Sequence, residues 1–529
     1  MFLKKDRRPN GRLYLSIVEG YRDPITKKNK QRKVKTVGFL DELEKEYEDP
    51  ISYFSNLAKE MTEEAKKKIS SLDFSFSPNE TIPSSTVLRK NLGFAVLSYF
   101  YHELGIDNFF INRQRNLNIK YSLNNIFQML VYSRILHPSS KKNSYENMDR
   151  YFLDFNFKIS DVCRSLDYFY KYKNDLLLHI HEMVRMNYGR DTSQVYYDVT
   201  NYYFEIKDAD DFRKTGVSKE HRTTPIVQMG LLMDNSGLPI AYKLFKGNTN
   251  DSTTLMPALH ELKGKYNLGR VIVVADKGIN TGENIAYNII NKNGYIYSQT
   301  VKDGSKEVKN YVLSNDGYQV SSDGFKIKSR IVTTKIWIEN DQGKRVQVEI
   351  DQKQVAFYSP DSCDKKTGEV YEKTPSAHFI NEAKIADEEK YDGYYLIVTS
   401  ELKMSNQDIL NAYRGLWKIE ETFKITKSEL ETRPVYVSLK EHIEAYLLTC
   451  FVSLLLLRLT EIQSGNKYST KKLTATMKNI SGTYVDKNYY MFDHYDEVAE
   501  KLGKVTNINF ARRFMTLVEI KKIISDVKK

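Results

Sequence analysis

Residues 196–205 read Y-Y-D-V-T-N-Y-Y-F-E, and this stretch decides the fold because the texture of the chain changes there. Upstream, from Val87 to about Asn187, apolar residues recur at spacings of three and four, as in Phe94-Leu97-Phe100-Tyr101 and Ile126-Met129-Leu130, which predicts an all-α region. From Val195 to Thr200 β-branched and aromatic residues crowd together around Asp198, the signature of a strand. Two further strands, Ile226 to Met233 and Leu238 to Phe245, flank Asn235-Ser236-Gly237 and read as a hairpin. A helix (Thr253 to Tyr266), a fully apolar strand (Val271 to Ala275) and another helix (Gly282 to Lys292) follow, so this part is α/β.

Further out, residues 295–391 lose helical periodicity in favour of alternating strands such as Lys326-Ile327-Lys328 and Val346 to Ile350, which predicts a β-rich insertion. The α/β texture resumes with strand Tyr394 to Thr399 and one long helix from about Ser405 to Leu430; the tail from Leu439 is expected to be mainly helical. Its apolar run Ala445 to Leu457 is about 13 residues, short of the roughly 20 that a membrane-spanning helix needs, and reads as a buried core helix. The expected organisation is therefore a basic N-terminal module (1–74), a helical domain (87–190), a core in two parts (191–294 and 392–437), the insertion between them (295–391), and a C-terminal helical region (438–529). Ser75 to Ser85, rich in Ser and Pro, reads as a linker.

Composition narrows the partners. The 529 residues are 41% hydrophobic and 28% charged, which excludes wholesale disorder and fibrous repeats. Net charge is +12, and residues 1–36 alone hold 12 Lys or Arg against 3 Asp or Glu. Such a balance favours a polyanion such as DNA, with an anionic membrane surface as the competing partner and a merely solvated basic hairpin as the ordinary alternative. Within it, Leu13 to Val18 and Val34 to Val37 read as strands joined by a turn around Asp23-Pro24, and residues 41–70 as a charged helix. Three scattered cysteines fit no zinc motif or disulfide framework, and no His pair has metal-ligand spacing; a reducing cytoplasm is the expected compartment.

Asp198 lies in a strand and Asp276 directly after the strand Val271 to Ala275, so both are expected to project from strand ends into one crevice. In A-Y-R-G-L-W-K-I-E-E-T-F-K-I-T-K, Tyr413, Glu420 and Lys427 recur every seven residues, which on a helix returns to within about 20°. They share a stripe with Leu416 and Phe423. A carboxylate in a half-apolar stripe calls for a cationic partner, and a divalent metal supplies one. Taken alone, three acids among 68 are equally compatible with helix caps and surface ion pairs.

The blocks Y-Y-D-V-T-N-Y-Y-F-E, V-V-A-D-K-G-I-N and Y-R-G-L-W-K-I-E-E-T-F-K-I-T-K, with L-F-K-G-N-T-N-D-S-T-T-L between the aspartates, together resemble DDE transposases of bacterial insertion sequences. The similar branch is the insertion-sequence-four-like one, with its Tyr-Arg-Glu-Lys signature. This resemblance implies an RNase H-like core interrupted by the β-rich insertion, with Asp198, Asp276 and Glu420 as the catalytic metal-binding triad holding two Mg²⁺ ions (Mn²⁺ as substitute). The signature Tyr and Lys fall on Tyr413 and Lys427. Where that pattern has Arg, this chain has Leu416, which leaves Arg414 and Arg433 as candidate substitutes. Lys277 is a further candidate phosphate contact. Trp337 could stack on an unpaired base, although sheet packing is its ordinary expectation, and Trp417 is expected in the core.

The implied function is a DNA transposase that binds terminal inverted repeats, cleaves phosphodiesters at the element ends and joins the 3′-OH ends to target DNA. Its partners would be double-stranded DNA and a second copy of itself in the synaptic complex, in the bacterial cytoplasm at the nucleoid and without a membrane. The alternatives are a metal-dependent nuclease without strand transfer and a binding-only descendant of a transposase.

Overall fold

The computed structural model describes residues 1–22, 29–67, 87–217, 223–266, 268–340, 342–360 and 389–528, with 74, 79 and 81. The chain divides into two compact units, Met1–Pro83 and Ser84–Lys529.

In the first unit β1 (Phe2–Arg7), β2 (Leu13–Arg22) and β3 (Asn29–Phe39) form an antiparallel meander, followed by α1 (Leu40–Leu43) and α2 (Pro50–Lys67). Bulges at Leu15/Ser16 and Ile17/Val18 shift the β2–β3 register, so Ile17 and Val18 are both buried beside Leu15 although strict alternation would expose one of them. Phe54 and Ala58 of α2 join them in the core. The helix expected across 41–70 is thus two helices, and the sequence reading missed β1. The expected turn at Asp23-Pro24 and almost all of the expected linker lie outside the described residues.

The second unit opens with a short strand β4 (Arg89–Asn91) and the helices α3 (Phe94–Glu103), α4 (Ile106–Gln114), α5 (Leu123–Leu136), α6 (Lys141–Glu146) and α7 (Ile159–Tyr188). Gly189, at φ +66°, ends α7 and turns the chain into the sheet. Then come β5 (Gln194–Tyr203), β6 (Ile226–Asp234), β7 (Pro239–Lys246), α8 (Leu255–Lys265), β8 (Ile272–Ala275), α9 (Gly282–Ile290) and β9 (Gly294–Gln299). After α10 (Lys306–Leu313) and β10 (Gln319–Val320) two long strands, β11 (Lys326–Glu339) and β12 (Arg345–Tyr358), pair along their whole length, and β13 (Tyr394–Thr399) follows.

All these strands from β5 onward lie in one nine-stranded mixed sheet, ordered β10-β11-β12-β13-β9-β8-β5-β6-β7. β5, β8 and β9 are mutually parallel, and the other neighbours are antiparallel. The α/β reading of this region therefore holds. Residue 295, proposed as the start of an insertion, falls inside β9, a central strand. Its alternation resembles that of β11 and β12, so period alone could not separate them. The inserted strands extend the central sheet through β12 and β13 instead of forming a body apart.

Two helices carry the third sequence block: α11 (Asn406–Arg414) and α12 (Trp417–Ser428). The single helix expected over 405–430 is interrupted at Gly415-Leu416, where Leu416, Lys418 and Ile419 donate to carbonyls three residues back. Beyond it, α13 (Lys440–Gln463) runs through the interior. It is long and apolar enough to span a membrane, yet its apolar window is entirely buried, as the core reading expects. The tail continues with α14 (Thr470–Asn479), β14 (Ser481–Tyr484), β15 (Tyr489–Phe492), α15 (Glu497–Thr506), β16 (Phe514–Thr516) and α16 (Leu517–Asp526). The tail is mainly helical, with three short strands set between its helices. β14 to β16 and β4 form a four-stranded sheet, and Asn91 donates to the carbonyls of Met477 (2.8 Å) and Lys478 (3.0 Å), so the helical front and the tail close on each other.

Candidate active site

Parallel register builds the site. Tyr196 pairs with Val274 and Ala275 with Tyr297, so two residues on from Tyr196, Asp198 stands level with Asp276, which in turn stands level with Ser298. Three adjacent parallel strands thus bring Asp198, Asp276 and Ser298 side by side; Asp276 directly follows β8 and Ser298 is the penultimate residue of β9, whereas Asp198, expected at a strand end, lies in the middle of β5, which runs on to Tyr203. The Ser298 hydroxyl donates to Asp276 Oδ1 at 2.6 Å, and the Tyr413 hydroxyl approaches the same oxygen at 3.5 Å. Asp198 Oδ1 accepts from the Val199 N–H at 2.7 Å, which orients its carboxylate.

A cavity of about 580 Å³ opens over this part of the sheet, and α11 and α12 form its other side. Asp198, Asp276, Glu420, Tyr413, Arg414 and Lys427 all line it, as do Thr200, Leu416, Trp417 and Phe423. The structure thus brings the three candidate acids and three of the candidate DNA contacts to one place. The helical break leaves the seven-residue stripe facing one cavity. Burial, reinforced by the negative charge of Asp276 and Glu420, pushes the Tyr413 phenol up to about 12, so it stays a donor across the working pH range.

Asp276 and Glu420 have no ion-pair partner among the described residues, although both face the cavity that holds Asp198. Hard carboxylate oxygens without a counter-cation suit a divalent ion. No group of three His, Cys, Asp or Glu close enough to hold a metal ion occurs among the described residues, so the acids share a cavity without forming a closed ligand cluster.

Several expectations are corrected. Glu420 is exposed to the cavity instead of sitting in an inward, half-apolar stripe. Trp417 is 55% exposed on the cavity wall and is not a core residue, because the helix face it shares with Tyr413 and Glu420 is the open one. Trp337 is likewise 55% exposed and lines, with Lys277, a second cavity of about 570 Å³ between the β11–β12 ribbon and the start of α9. There a Cβ on Gly282 would lie 2.3 Å from the Trp337 carbonyl oxygen, so only glycine lets the ribbon lie so close. Arg433 lines neither cavity; its guanidinium sits over the Tyr203 ring at 5.6 Å. Of the two substitutes for the missing signature Arg, only Arg414 reaches the site, with its guanidinium 5.4 Å from the Phe325 ring. Sequence reasoning missed Ser298, whose signal was its place at the end of a third parallel strand.

Known protein families match two parts of the chain. A family model described as the transposase DDE domain matches residues 202–456, which include Asp276 and Glu420 and begin just past Asp198. A second, the N-terminal domain of IS1634 family transposases, matches residues 3–73. The chain belongs to the DDE transposases of bacterial insertion sequences. It is IS1634-like, and DNA is its partner. No curated protein matches the sequence. Among solved structures, a piggyBac transposase synaptic complex with hairpin DNA aligns at 10% identity and a TM-score of 0.36, covering 82% of this chain and 85% of that one.

Proposed function

We propose that the chain binds the terminal inverted repeats of its element, cleaves phosphodiesters at the ends and joins the freed 3′-OH ends to target DNA. Asp198, Asp276 and Glu420 act as the catalytic triad of an RNase H-like core. The observation that carries this reading is their convergence on one open cavity, Asp198 within β5, Asp276 at the end of the adjacent parallel strand β8, and Glu420 on α12 opposite.

The three carboxylates would hold Mg²⁺, or Mn²⁺ in its place, and two such ions would activate the attacking oxygen and stabilise the leaving one. The protein's own contribution is orientation. Ser298 and Tyr413 fix Asp276 Oδ1, leaving its other oxygen for a ligand. Lys427, about 10 Å from Glu420 along the helix, meets a phosphate next to the scissile one. Arg414 stands in for the signature Arg on the rim, and Lys277 and Trp337 in the neighbouring cavity give DNA a second track, with Trp337 open to stack on an unpaired base. The basic first unit binds the repeat, and two copies of the chain pair the two ends.

Asp198→Asn, Asp276→Asn and Glu420→Gln each preserve size while removing one ligand charge. Each should abolish Mg²⁺-dependent end cleavage in a gel assay and leave end binding nearly intact. Near-normal cleavage by any of the three would remove that residue from the triad.

A further inference from the structure

Helix α12 presents Glu420 on one side and is gripped on another. Lys418 and Glu421, three residues apart, lie about 60° from each other on the helix surface, whereas Glu420 lies about 100° from Glu421 and about 160° from Lys418. Lys418 Nζ donates to the Asn235 carbonyl in the β6–β7 turn at 2.6 Å. Glu421 Oε2 is 3.5 Å from Arg458 Nη1, which also binds Glu461 Oε2 at 2.6 Å, and the Arg458 side chain is only 6% exposed.

The same turn closes the grip. Gly237, at φ +87°, a conformation that favours glycine, packs against both side chains: a Cβ there would lie 3.0 Å from Arg458 Nη2 and 3.4 Å from Lys418 Cδ. Asn235 is fixed in turn by Asp191, through its N–H (3.1 Å) and its side-chain amide (2.9 Å). β6, which enters this turn, pairs with β5, so that Asp198 faces Leu231 and Val195 faces Asp234. Two sets of polar contacts therefore hold the helix of the third acid: Lys418 ties it to the turn that follows β6, the strand paired with that of the first acid, and Glu421 ties it to Arg458 on α13. The carboxylates of Glu420 and Asp198 approach from different elements, and rotation of α12 by about 20° would swing a carboxylate some 6 Å from the helix axis by about 2 Å.

We propose that Lys418, Glu421 and Arg458 are positioning residues that lock the rotation of α12, Lys418 against the β6–β7 turn and Glu421 against Arg458 of α13, and so set Glu420 relative to Asp198. The inference rests on the triad reading above. None of the three needs to touch DNA or metal; each acts through Glu420.

The test uses the full chain with Glu421→Gln, Arg458→Met and Arg458→Lys. Glu421 is partly exposed, so its variant keeps the test open if loss of the buried Arg458 prevents folding. Glu421→Gln and Arg458→Met should bind terminal DNA within about twofold of wild type and keep its KM, yet cleave at least about tenfold more slowly at saturation. The Mg²⁺ concentration for half-maximal rate should rise, and Mn²⁺ binding followed by electron paramagnetic resonance should weaken. Arg458→Lys should recover most of the rate. Wild-type kcat and Mn²⁺ binding in Glu421→Gln, with wild-type protein active and Asp276→Asn dead, would overturn the inference alone. Wild-type protein inert toward the ends would instead remove the triad reading, and the inference with it.

Discussion

Gly415→Ala at the break between α11 and α12 should cost both stability and activity. Gly415 has φ −58°, a conformation alanine accepts, and helix propensity alone would favour alanine by about 1 kcal/mol. Packing reverses the sign. An added Cβ would meet Tyr196 at 2.0 Å from Oη, 2.6 Å from Cζ and 2.9 Å from Cε1, whereas ordinary contacts begin near 3.4 Å. Tyr196 is buried in β5, two residues from Asp198, so the ring cannot swing aside and strand and helix must part by about 1 Å. Overpacking of this kind costs typically about 1–3 kcal/mol, and three contacts under 3.0 Å point to the upper half, for a net loss of about 1–2 kcal/mol. Because the displaced elements carry Asp198 and Glu420, a 1 Å misplacement should also slow cleavage by about 100-fold. Urea denaturation and single-turnover cleavage measure the two effects. Tyr196→Phe added to Gly415→Ala should restore part of each, and Gly264→Ala in α8, where nothing lies within 4 Å of the new Cβ, should be neutral or stabilising. Wild-type stability and rate in Gly415→Ala would refute the packing argument.

Three further outcomes are expected. Lys427→Ala should weaken productive end binding and slow cleavage more than Lys424→Ala, because Lys427 lines the cavity and Lys424 is exposed about 60° off that stripe; equal, minor effects on intact and pre-cleaved ends would remove Lys427 from the site. Burial holds the His137 and His181 imidazoles down to about 4, so the fold favours their neutral form. Their contribution is complete above the unfolded pKa of about 6.5 and lost as pH falls toward 4, and thermal melts in that window should show it, with the His181→Gln variant less acid-sensitive. Replacing Lys4, Lys5, Lys33 and Lys35 by Gln should flatten the dependence of log K for DNA on log salt by about 0.9 for each phosphate no longer neutralised, and an unchanged slope would leave these lysines merely solvated.

The two aspartates were legible because local signals suffice: an apolar run followed by Asp276, and Asp198 inside a β-branched, aromatic burst. Glu420 was legible as part of a block but not in its environment. A seven-residue spacing gives a shared face and does not say whether that face meets core or solvent, which is why Trp417 was misread. At the break Gly415 packs against the ring of Tyr196, more than two hundred residues away, and no helical period carries that information. Ser298 and the β4 connection to the tail were hidden for the same reason, since each acquires its role only when distant strands pair. The extent of the β11–β12 ribbon was blurred because its alternation differs little from that of the core strand β9.

Strand transfer tests the central claim most directly. Pre-cleaved terminal DNA carrying 3′-OH ends, incubated with the full-length protein, a supercoiled plasmid and Mg²⁺, should yield covalently joined products that Glu420→Gln fails to form. Cleavage of intact ends without joining would make the protein a nuclease, and joining undiminished in Glu420→Gln would contradict the assignment of the triad.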